Sequence, residues 1–281
     1  VQAGRCAGPV GCDWLDADEP GCREGVLLMA GGVKQAKKTK VKPTVDASQG
    51  PAAVVEDFVR HSGMWTEKAC PFKATIASGH RRVALLAGPN ASGKSFLAEC
   101  ALSWGREWCG TRSMKVSIRE RTGSGGGDMS GMRRSMMFGN EELHSTGAVS
   151  AKVVRSAFSN LEAWSKEGIK TILLLDEPEI GLSEGFCYGM GELIGQAVRS
   201  MHEGACGVIV VSHSRALAKG LQEALGERPS FISMGEAMSF DQWVETEARL
   251  SADALIALGE KDAAGFKGVR KLLEVLRKKA G

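Results

Sequence analysis

The sequence lacks the features that would place it among membrane, secreted or zinc-binding proteins. No apolar run approaches the roughly 18 residues needed to cross a membrane, and no segment resembles a secretory signal peptide. The eight cysteines form no C-x-x-C pair, which argues against zinc and thioredoxin-type sites. We find no internal repeat and no heptad array. Because the net charge is only +3, composition alone indicates no nucleic-acid partner.

The composition of the chain is typical of an ordinary soluble globular protein, with 43% hydrophobic and 25% charged residues. A chain of 281 residues is long enough for one large or two small domains with a well-buried core. We interpret the scattered cysteines as reduced thiols of a cytoplasmic protein, with a disulfide scaffold as the alternative. Cys6, Cys12 and Cys22 could form a metal knuckle, although their spacing fits no zinc motif.

An apolar run at residues 82–87 leads into a glycine-rich turn, and an amphipathic helix pattern follows at once. The turn matches the G-x-x-x-x-G-K-[ST] template of phosphate-binding loops. The matching residues are Gly88, Pro89, Asn90, Ala91, Ser92, Gly93, Lys94 and Ser95, and Phe96 begins the helix pattern. A chance glycine-rich turn is the alternative, but a strand before and a helix after the turn are the context that the motif requires.

The chemistry of phosphate binding explains the spacing of this motif. A loop wrapped around a phosphate needs glycines where φ is positive or where a Cβ would clash. Its backbone N–H groups then point at the anion, and the helix that follows adds the positive end of its dipole. We expect Lys94 to reach the β- and γ-phosphates and the Ser95 hydroxyl to bind Mg²⁺.

Residues 171–178 and 207–214 each contain a continuous aliphatic run that ends in polar residues, and these runs predict strands that are buried on both faces. Such strands indicate a parallel sheet with helices on either side. Residues 71–76 alternate like a strand and turn into 82–87, which predicts a hairpin leading to the phosphate loop. Further elements are predicted from periodicity: strands at 114–118 and 229–234, helices at 52–61, 96–104, 149–167 and about 185–199, an edge hairpin or turn at 236–243, and two helices within 250–279.

The predicted fold class is therefore α/β. We expect a P-loop NTPase three-layer sandwich with a mostly parallel central sheet, an antiparallel N-terminal hairpin and C-terminal helices. In an open α/β sheet, ligands bind at the carboxyl ends of the strands. Polar groups follow three strand ends in this sequence: residues 88–95, Asp176-Glu177 and Ser212-His213.

These three polar segments can converge on one nucleotide. Asp176 would hold Mg²⁺ through its water shell, and Glu177 would polarise the attacking water as general base. His213 would hydrogen-bond the γ-phosphate region and help to position that water. The alternatives are a helix N-cap for the two carboxylates and a satisfied strand-end histidine for His213.

At these residues the sequence resembles ABC-type ATPases. Residues 173–178, Leu-Leu-Leu-Asp-Glu-Pro, look like the Walker B motif of that family, and residues 181–184, Gly-Leu-Ser-Glu, resemble its D-loop. His213 matches the switch histidine. Ser145-Thr146-Gly147, which opens a long predicted helix, looks like a shortened form of the Ser-Gly-Gly signature. The resemblance covers roughly residues 70–235.

The resemblance implies that the protein binds ATP with Mg²⁺ and hydrolyses ATP to ADP and phosphate. It also implies a composite site, in which Ser145, Thr146 and Gly147 of one subunit close in trans on the γ-phosphate bound to the other. ATP would then hold a head-to-tail homodimer together, and hydrolysis would release it. The positive end of the helix after Gly147 would face the phosphate.

The sequence departs from the transporter members of this family. Those members normally carry a glutamine loop before the signature, whereas no glutamine lies between Gln49 and Gln196. Glu120 and Asp128 are candidate replacements. Residues 95–144 also leave little room for the helical subdomain that docks on a membrane partner. The chain is therefore more similar to the soluble branch, the SMC, RecF, MutS and overcoming-lysogenisation-type ATPases of DNA repair and phage defence.

We accordingly predict an ATPase coupled to DNA maintenance or phage defence through DNA or a partner protein, without a membrane subunit. The alternatives are the ATP-binding subunit of an ABC transporter and a non-catalytic, ATP-gated binding module. Residues 1–50 are expected to form a poorly ordered tail, 51–245 the ATPase domain and 246–281 C-terminal helices packed on it. Met29, with a basic stretch after it, has the form of a natural start. Lysines and arginines around the apolar stripe at 266–276 are expected to face water, with a basic surface for nucleic acid or a partner as the alternative.

Overall fold

The computed structural model describes residues 45–117, 146–246 and 251–280. Several predictions fall on residues outside these ranges, namely 1–44 of the expected tail, Glu120, Asp128 and Ser145. Residues 45–50, which the tail prediction includes, are structured. Ala47–Gln49 form a 3-10 turn capped by Asp46, and Ala47 is buried in the core.

The described part of the chain contains a six-stranded sheet in the order β1-β6-β2-β5-β4-β3. The strands are β1 (Ala74–Ala77), β2 (His80–Ala87), β3 (Arg112–Ser117), β4 (Thr171–Asp176), β5 (Gly207–Val211) and β6 (Pro229–Met234). All pairings are parallel except that of β1 with β6. The predicted α/β class and mostly parallel sheet are confirmed.

Helices cover both faces of this sheet. They are α1 (Pro51–His61), α2 (Lys94–Cys109), α3 (Thr146–Lys166), α4 (Glu184–Arg199), α5 (Arg215–Leu225), α6 (Phe240–Glu245) and α7 (Ala252–Ala280). Leu173 and Leu175 of β4 belong to a first apolar cluster, which includes residues of α3 to α6. Ile172 and Leu174 belong to a second cluster, which includes residues of α1, α2 and α7. Because both faces are covered, every residue of β4 is buried.

The predicted hairpin between residues 71–76 and 82–87 is wrong. Strand β1 is antiparallel, but its partner is β6, and β6 lies between β1 and β2. At the reversal after β1, the N–H of Gly79 donates to Ser230 Oγ at the start of β6. A Cβ at Gly79 would lie 2.4 Å from the carbonyl oxygen of Pro229. Glycine therefore lets the chain turn closely around the end of an inserted strand.

Two predictions for the C-terminal part also differ from the structure. Residues 236–243, predicted as an edge hairpin or turn, include the start of α6, where Ser239 and Gln242 form a capping box. The region predicted as two helices forms the single helix α7. No proline interrupts α7, and an isolated glycine costs a helix only about 1 kcal/mol. The helix buries Val269, Leu272 and Leu273 and exposes Lys267, Arg270 and Lys271.

Helices α4 and α5 pack with their backbones in direct contact. A Cβ at Gly191 of α4 would lie 2.0 Å from the carbonyl oxygen of Leu217. A Cβ at Gly220 of α5 would lie 2.2 Å from the carbonyl oxygen of Tyr188. Helix α5 begins directly after its cap residue, Ser214. This close pair therefore supports the polar segments that lead into both helices from the ends of β4 and β5.

Within the ranges described, no helix is long and apolar enough to cross a membrane. The described cysteines are free thiols: Cys70, Cys100, Cys109, Cys187 and Cys206. Burial raises the pKa of the Cys100 thiol to about 12. Because the thiolate is the reactive form, this raised pKa favours the unreactive thiol, as expected of a cysteine buried in the core.

Candidate functional site

The glycine-rich motif forms the connection between β2 and α2. Its backbone adopts conformations that few residues tolerate, with φ at 149° for Gly88, 66° for Ala91 and 86° for Gly93. Contacts behind the loop also require glycine. A Cβ at Gly93 would lie 2.8 Å from the ring of Phe72, and a Cβ at Gly88 would lie 2.6 Å from the carbonyl oxygen of Met234. Strand β6 and the aromatic core thus set the curvature of the loop.

The inner side of the loop is suited to an anion. Lys94, the first residue of α2, is buried. Its Nζ donates to the carbonyl oxygens of Gly88 at 2.9 Å and Pro89 at 2.8 Å. Ser92 Oγ is buried without a hydrogen-bond partner among the described residues. The positive end of α2 lies at the same place. The buried Lys94 ammonium, the unsatisfied Ser92 hydroxyl and the N-terminus of α2 together favour a bound phosphate.

Ser95 and Asp176 connect this loop to the end of β4. Ser95 Oγ donates to Asp176 Oδ1 at 2.8 Å, and Asp176 is buried. A hydroxyl and a carboxylate are hard oxygen ligands, which Mg²⁺ combines with water and substrate phosphates. The two oxygens are already adjacent beside the glycine-rich loop, so the residues present fit a magnesium site completed by a nucleotide.

Glu177 has a strained backbone, with φ at 53° in the left-handed region that glutamate rarely adopts. Its N–H donates to the carbonyl oxygen of Val211 at 2.9 Å, which ties the strained residue to the end of β5. The side chain is buried. Strain of this kind costs about 1–3 kcal/mol and concentrates at functional sites. The observed conformation therefore marks Glu177 as a functional candidate.

His213 lies beside Glu177, just after β5. Its Nδ1 is 3.8 Å from Glu177 Oε1, the distance of an ion pair rather than of a hydrogen bond, and 48% of its side chain is exposed. The Glu177 carboxylate raises the pKa of His213 above its ordinary value, while burial acts in the opposite direction. The structure thus brings the loop, the two carboxylates and His213 to one edge of the sheet.

Glu179 is a site residue that the sequence analysis missed. Its Oε1 accepts from Ser212 Oγ at 2.5 Å and from the N–H of His213 at 3.3 Å. His213 Nδ1 lies 3.9 Å from the same oxygen. Glu179 Oε2 is buried and has no partner within the described ranges, and burial raises the pKa of this carboxyl. The available signal was a third carboxylate in the run Asp-Glu-Pro-Glu.

Lys115 of β3 is a second residue that the sequence analysis missed. Its Nζ lies 2.5 Å from Glu99 Oε1 and 3.9 Å from Asp176 Oδ2. A positive charge therefore stands between a carboxylate of α2 and the carboxylate that faces Ser95. The only signal in the sequence was a lysine within a strand pattern, which indicates solvent exposure as readily as a site.

A cavity of about 480 Å³ adjoins His213 and Glu179. The residues that line it come from the turn after β4 and the beginnings of α4 and α5: Glu179, Ile180, Gly181, Leu182, Glu184, Cys187, His213, Ser214, Arg215 and Ala216. Most of the segment that resembles a D-loop therefore borders the cavity together with His213.

The structure describes two of the three predicted signature residues. Thr146 and Gly147 begin the 21-residue helix α3. A Cβ at Gly147 would lie 3.5 Å from Leu182 Cδ2, so the start of α3 is near the segment that resembles a D-loop. Ser145 lies outside the described residues. The role of these residues toward a second subunit stays a prediction.

Comparison with known proteins assigns no family. No protein-family model matches the chain, and no curated protein matches it. Among solved structures, PCH-2 of C. elegans is similar, with a TM-score of 0.35 and 12% identity, over 81% of this chain and 66% of that chain. The match thus spans just under two thirds of the PCH-2 chain, and a likeness of this size identifies neither a family nor an activity.

Proposed function

We propose that the chain is a Mg²⁺-dependent ATPase with a P-loop NTPase fold of the ABC type, a three-layer sandwich around the parallel sheet. The observation that carries this proposal is the 2.8 Å hydrogen bond from Ser95 Oγ to Asp176 Oδ1. It joins the residue after the loop lysine to a buried carboxylate at the end of β4. In P-loop NTPases such a pair holds the metal on the β- and γ-phosphates.

Nucleotide binding would depend on the loop and the start of α2. Backbone N–H groups and the helix dipole would face the phosphates. Lys94 would exchange its bonds to Gly88 and Pro89 for bonds to phosphate oxygens, and Ser92 Oγ would gain an acceptor. Mg²⁺, held by Ser95 and Asp176, would supply positive charge at the β- and γ-phosphate oxygens.

Hydrolysis would depend on Glu177. Its carboxylate would accept a proton from water while the water oxygen attacks the γ-phosphorus and the bond to the β-phosphate oxygen breaks, which releases ADP. His213 would donate a hydrogen bond to a γ-phosphate oxygen. The raised pKa of His213 favours the protonated ring, in which both nitrogens are donors.

Titration with a fluorescent ATP analogue in the presence of Mg²⁺ tests nucleotide binding. Lys94→Met removes the charge that faces the phosphates, so we expect affinity to fall by about tenfold or more. Lys152→Met, at an exposed position of α3, is the matched control and should bind like the wild type. Equal affinities of the wild type and Lys94→Met would contradict the proposed site.

The ABC-type part of the proposal includes an ATP-dependent homodimer, with Ser145, Thr146 and Gly147 acting on the nucleotide of the other subunit. The resemblance of these residues to a signature and the helix that begins at Thr146 support it. Glu177→Gln, which should bind ATP without hydrolysing it, is expected to double its mass by light scattering when ATP and Mg²⁺ are added.

Adding Gly147→Glu to that variant places a negative charge at the start of α3 and should prevent dimerisation. Adding Ser156→Glu instead, at an exposed position of the same helix, is the control and should not prevent it. A Glu177→Gln protein that binds ATP yet remains monomeric would contradict the composite site.

We further propose that the ATP cycle acts on DNA or on a DNA-repair or defence partner, which the resemblance to the soluble branch supports. The rate of ATP hydrolysis with and without double-stranded DNA tests the DNA part. Stimulation that declines with salt is expected, because phosphate contacts release counterions. No stimulation and no salt-dependent binding would remove DNA from the proposal, and co-purification with a membrane subunit would favour transport instead.

A further inference from the structure

We propose that Lys115 is a positioning residue that controls metal access to Asp176. Without nucleotide, the Lys115 ammonium partly neutralises the negative charge of Asp176. When a metal binds together with the nucleotide phosphates, the metal replaces the lysine as the positive charge next to Asp176. This inference rests on the proposed function, since it concerns the metal of the same site. Its test uses metal alone and is independent of ATP binding.

The register of two parallel strands places Lys115 and Asp176 on one face of the sheet. Lys115 of β3 pairs with Leu174 of β4, and Ser117 pairs with Asp176. Paired residues share a face, and side chains two positions apart along a strand share that face too. Lys115 therefore lies beside Leu174, two residues before Asp176 along the strand direction and on the same face of the sheet. Leu174 belongs to the second apolar cluster, so this is the face that α2 covers.

Helix α2 contributes a second carboxylate to the same face. Glu99 follows Ser95 by four residues, so the two side chains lie on one side of the helix. Ser95 Oγ donates to Asp176 Oδ1, and Lys115 Nζ donates to Glu99 Oε1 at 2.5 Å. The four side chains thus form one chain of contacts: Glu99, Lys115, Asp176 and Ser95.

The distances indicate how the lysine can yield to a metal. Lys115 Nζ is 3.9 Å from Asp176 Oδ2, and its closer partner is Glu99. Asp176 is nearly buried, whereas about a third of each of the Lys115 and Glu99 side chains is exposed. A lysine has a flexible four-carbon stem. The ammonium can therefore keep its bond to Glu99 when a divalent cation reaches Asp176.

The expected consequence is discrimination against free metal. A positive charge close to Asp176 repels a divalent cation and offsets the attraction of the carboxylate. The phosphates of a nucleotide add the negative charge that overcomes this repulsion. Metal alone should accordingly bind weakly, and metal with nucleotide should bind well. Glu99 sets how much of the lysine charge acts on Asp176.

Mn²⁺ binding without nucleotide, measured by electron paramagnetic resonance, tests the inference. Lys115→Met removes the repelling charge and should tighten Mn²⁺ binding by about tenfold. Lys115→Arg retains a charge and should bind like the wild type, and Lys152→Met, exposed on α3, is the control for loss of a distant charge. Equal Mn²⁺ affinity of the wild type and Lys115→Met, including no measurable binding by either, would overturn the inference.

A double-mutant cycle tests the part assigned to Glu99. Glu99→Gln removes the carboxylate 2.5 Å from the Lys115 ammonium, so more of the lysine charge should act on Asp176 and Mn²⁺ binding should weaken. In the Lys115→Met background the same change should have a much smaller effect, since the residue acts through the lysine. Equal effects in both backgrounds would overturn the role of Glu99. Failure of the wild type to bind ATP would count against the proposed function, but the Mn²⁺ series would still decide the role of Lys115.

Discussion

Substitution of Gly191 by alanine probes the contact on which α4 and α5 depend. The added Cβ would lie 2.0 Å from the carbonyl oxygen of Leu217, whereas ordinary van der Waals contact begins at 3.4 Å. It would also lie 2.7 Å from the backbone nitrogen of Leu221. Both obstructing atoms are backbone, so no side-chain rotation relieves the clash. The two helices would have to separate by more than 1 Å at this point.

The expected loss of stability follows from that separation. Overpacking of a tight contact costs about 1–3 kcal/mol, and occasionally more. Because the obstacle here is the backbone of a neighbouring helix, we expect Gly191→Ala to lower the free energy of unfolding by about 3 kcal/mol, a large part of the 5–15 kcal/mol typical of a domain. Urea denaturation followed by circular dichroism measures this change.

Gly189 provides a matched control in the same helix. A Cβ at Gly189 meets no heavy atom of the described residues within 4 Å. Gly189→Ala should therefore stabilise the protein by about 0.5–1 kcal/mol, because alanine is the better helix former. We therefore predict that alanine raises the free energy of unfolding at position 189 and lowers it at position 191. Stabilisation by both changes would refute backbone contact between α4 and α5.

Two further substitutions test the site and the core behind it. The raised pKa of Glu179 means that the folded protein holds this proton more tightly, so stability should fall as pH rises from 4.5, the ordinary pKa, through the raised pKa. The melting temperature of Glu179→Gln should lack this fall, and parallel pH profiles of melting temperature for the two proteins would contradict the assignment. Phe72→Ala removes the ring that contacts Gly93 from behind the loop. The centroid of this ring lies 6.0 Å from that of Phe96 and 6.2 Å from that of Trp65. The substitution should destabilise the protein by about 3–5 kcal/mol in urea and weaken binding of the ATP analogue, whereas unchanged nucleotide affinity would show that the loop does not depend on the ring.

The sheet illustrates which parts of the fold a sequence pattern can predict. The aliphatic runs predicted β4 and β5 correctly, because a strand buried on both faces needs apolar residues at every position. The insertion of β6 between β1 and β2 depends on contacts such as the one between Gly79 and Ser230. The alternation of apolar and polar residues in β1 carries no information about which strand pairs with it. The hairpin prediction therefore failed, because β1 pairs with the distant strand β6.

The candidate site divides in the same way. That the glycine-rich loop, Asp176 and Glu177 meet at one edge of the sheet could be predicted, because each follows the carboxyl end of a predicted parallel strand; their binding of phosphate and metal stays a prediction. Glu179 joins the site through its hydrogen bonds with Ser212 Oγ and the His213 N–H, and Lys115 is brought near Asp176 by the register of β3 with β4. A shift of that register by one residue would move Lys115 to the opposite face, and no local pattern specifies it.

Phosphate release by the wild type and Glu177→Gln, at saturating ATP and Mg²⁺, tests the central claim most directly. Glu177→Gln keeps the size of the side chain and removes the carboxylate that would accept the proton of water. Glu167→Gln, at an exposed position, is the matched control. The wild type and Glu167→Gln should release phosphate at equal rates, and Glu177→Gln should bind ATP but release phosphate at least about a hundredfold more slowly. An equal rate for Glu177→Gln, or no turnover by the wild type despite ATP binding, would contradict the account.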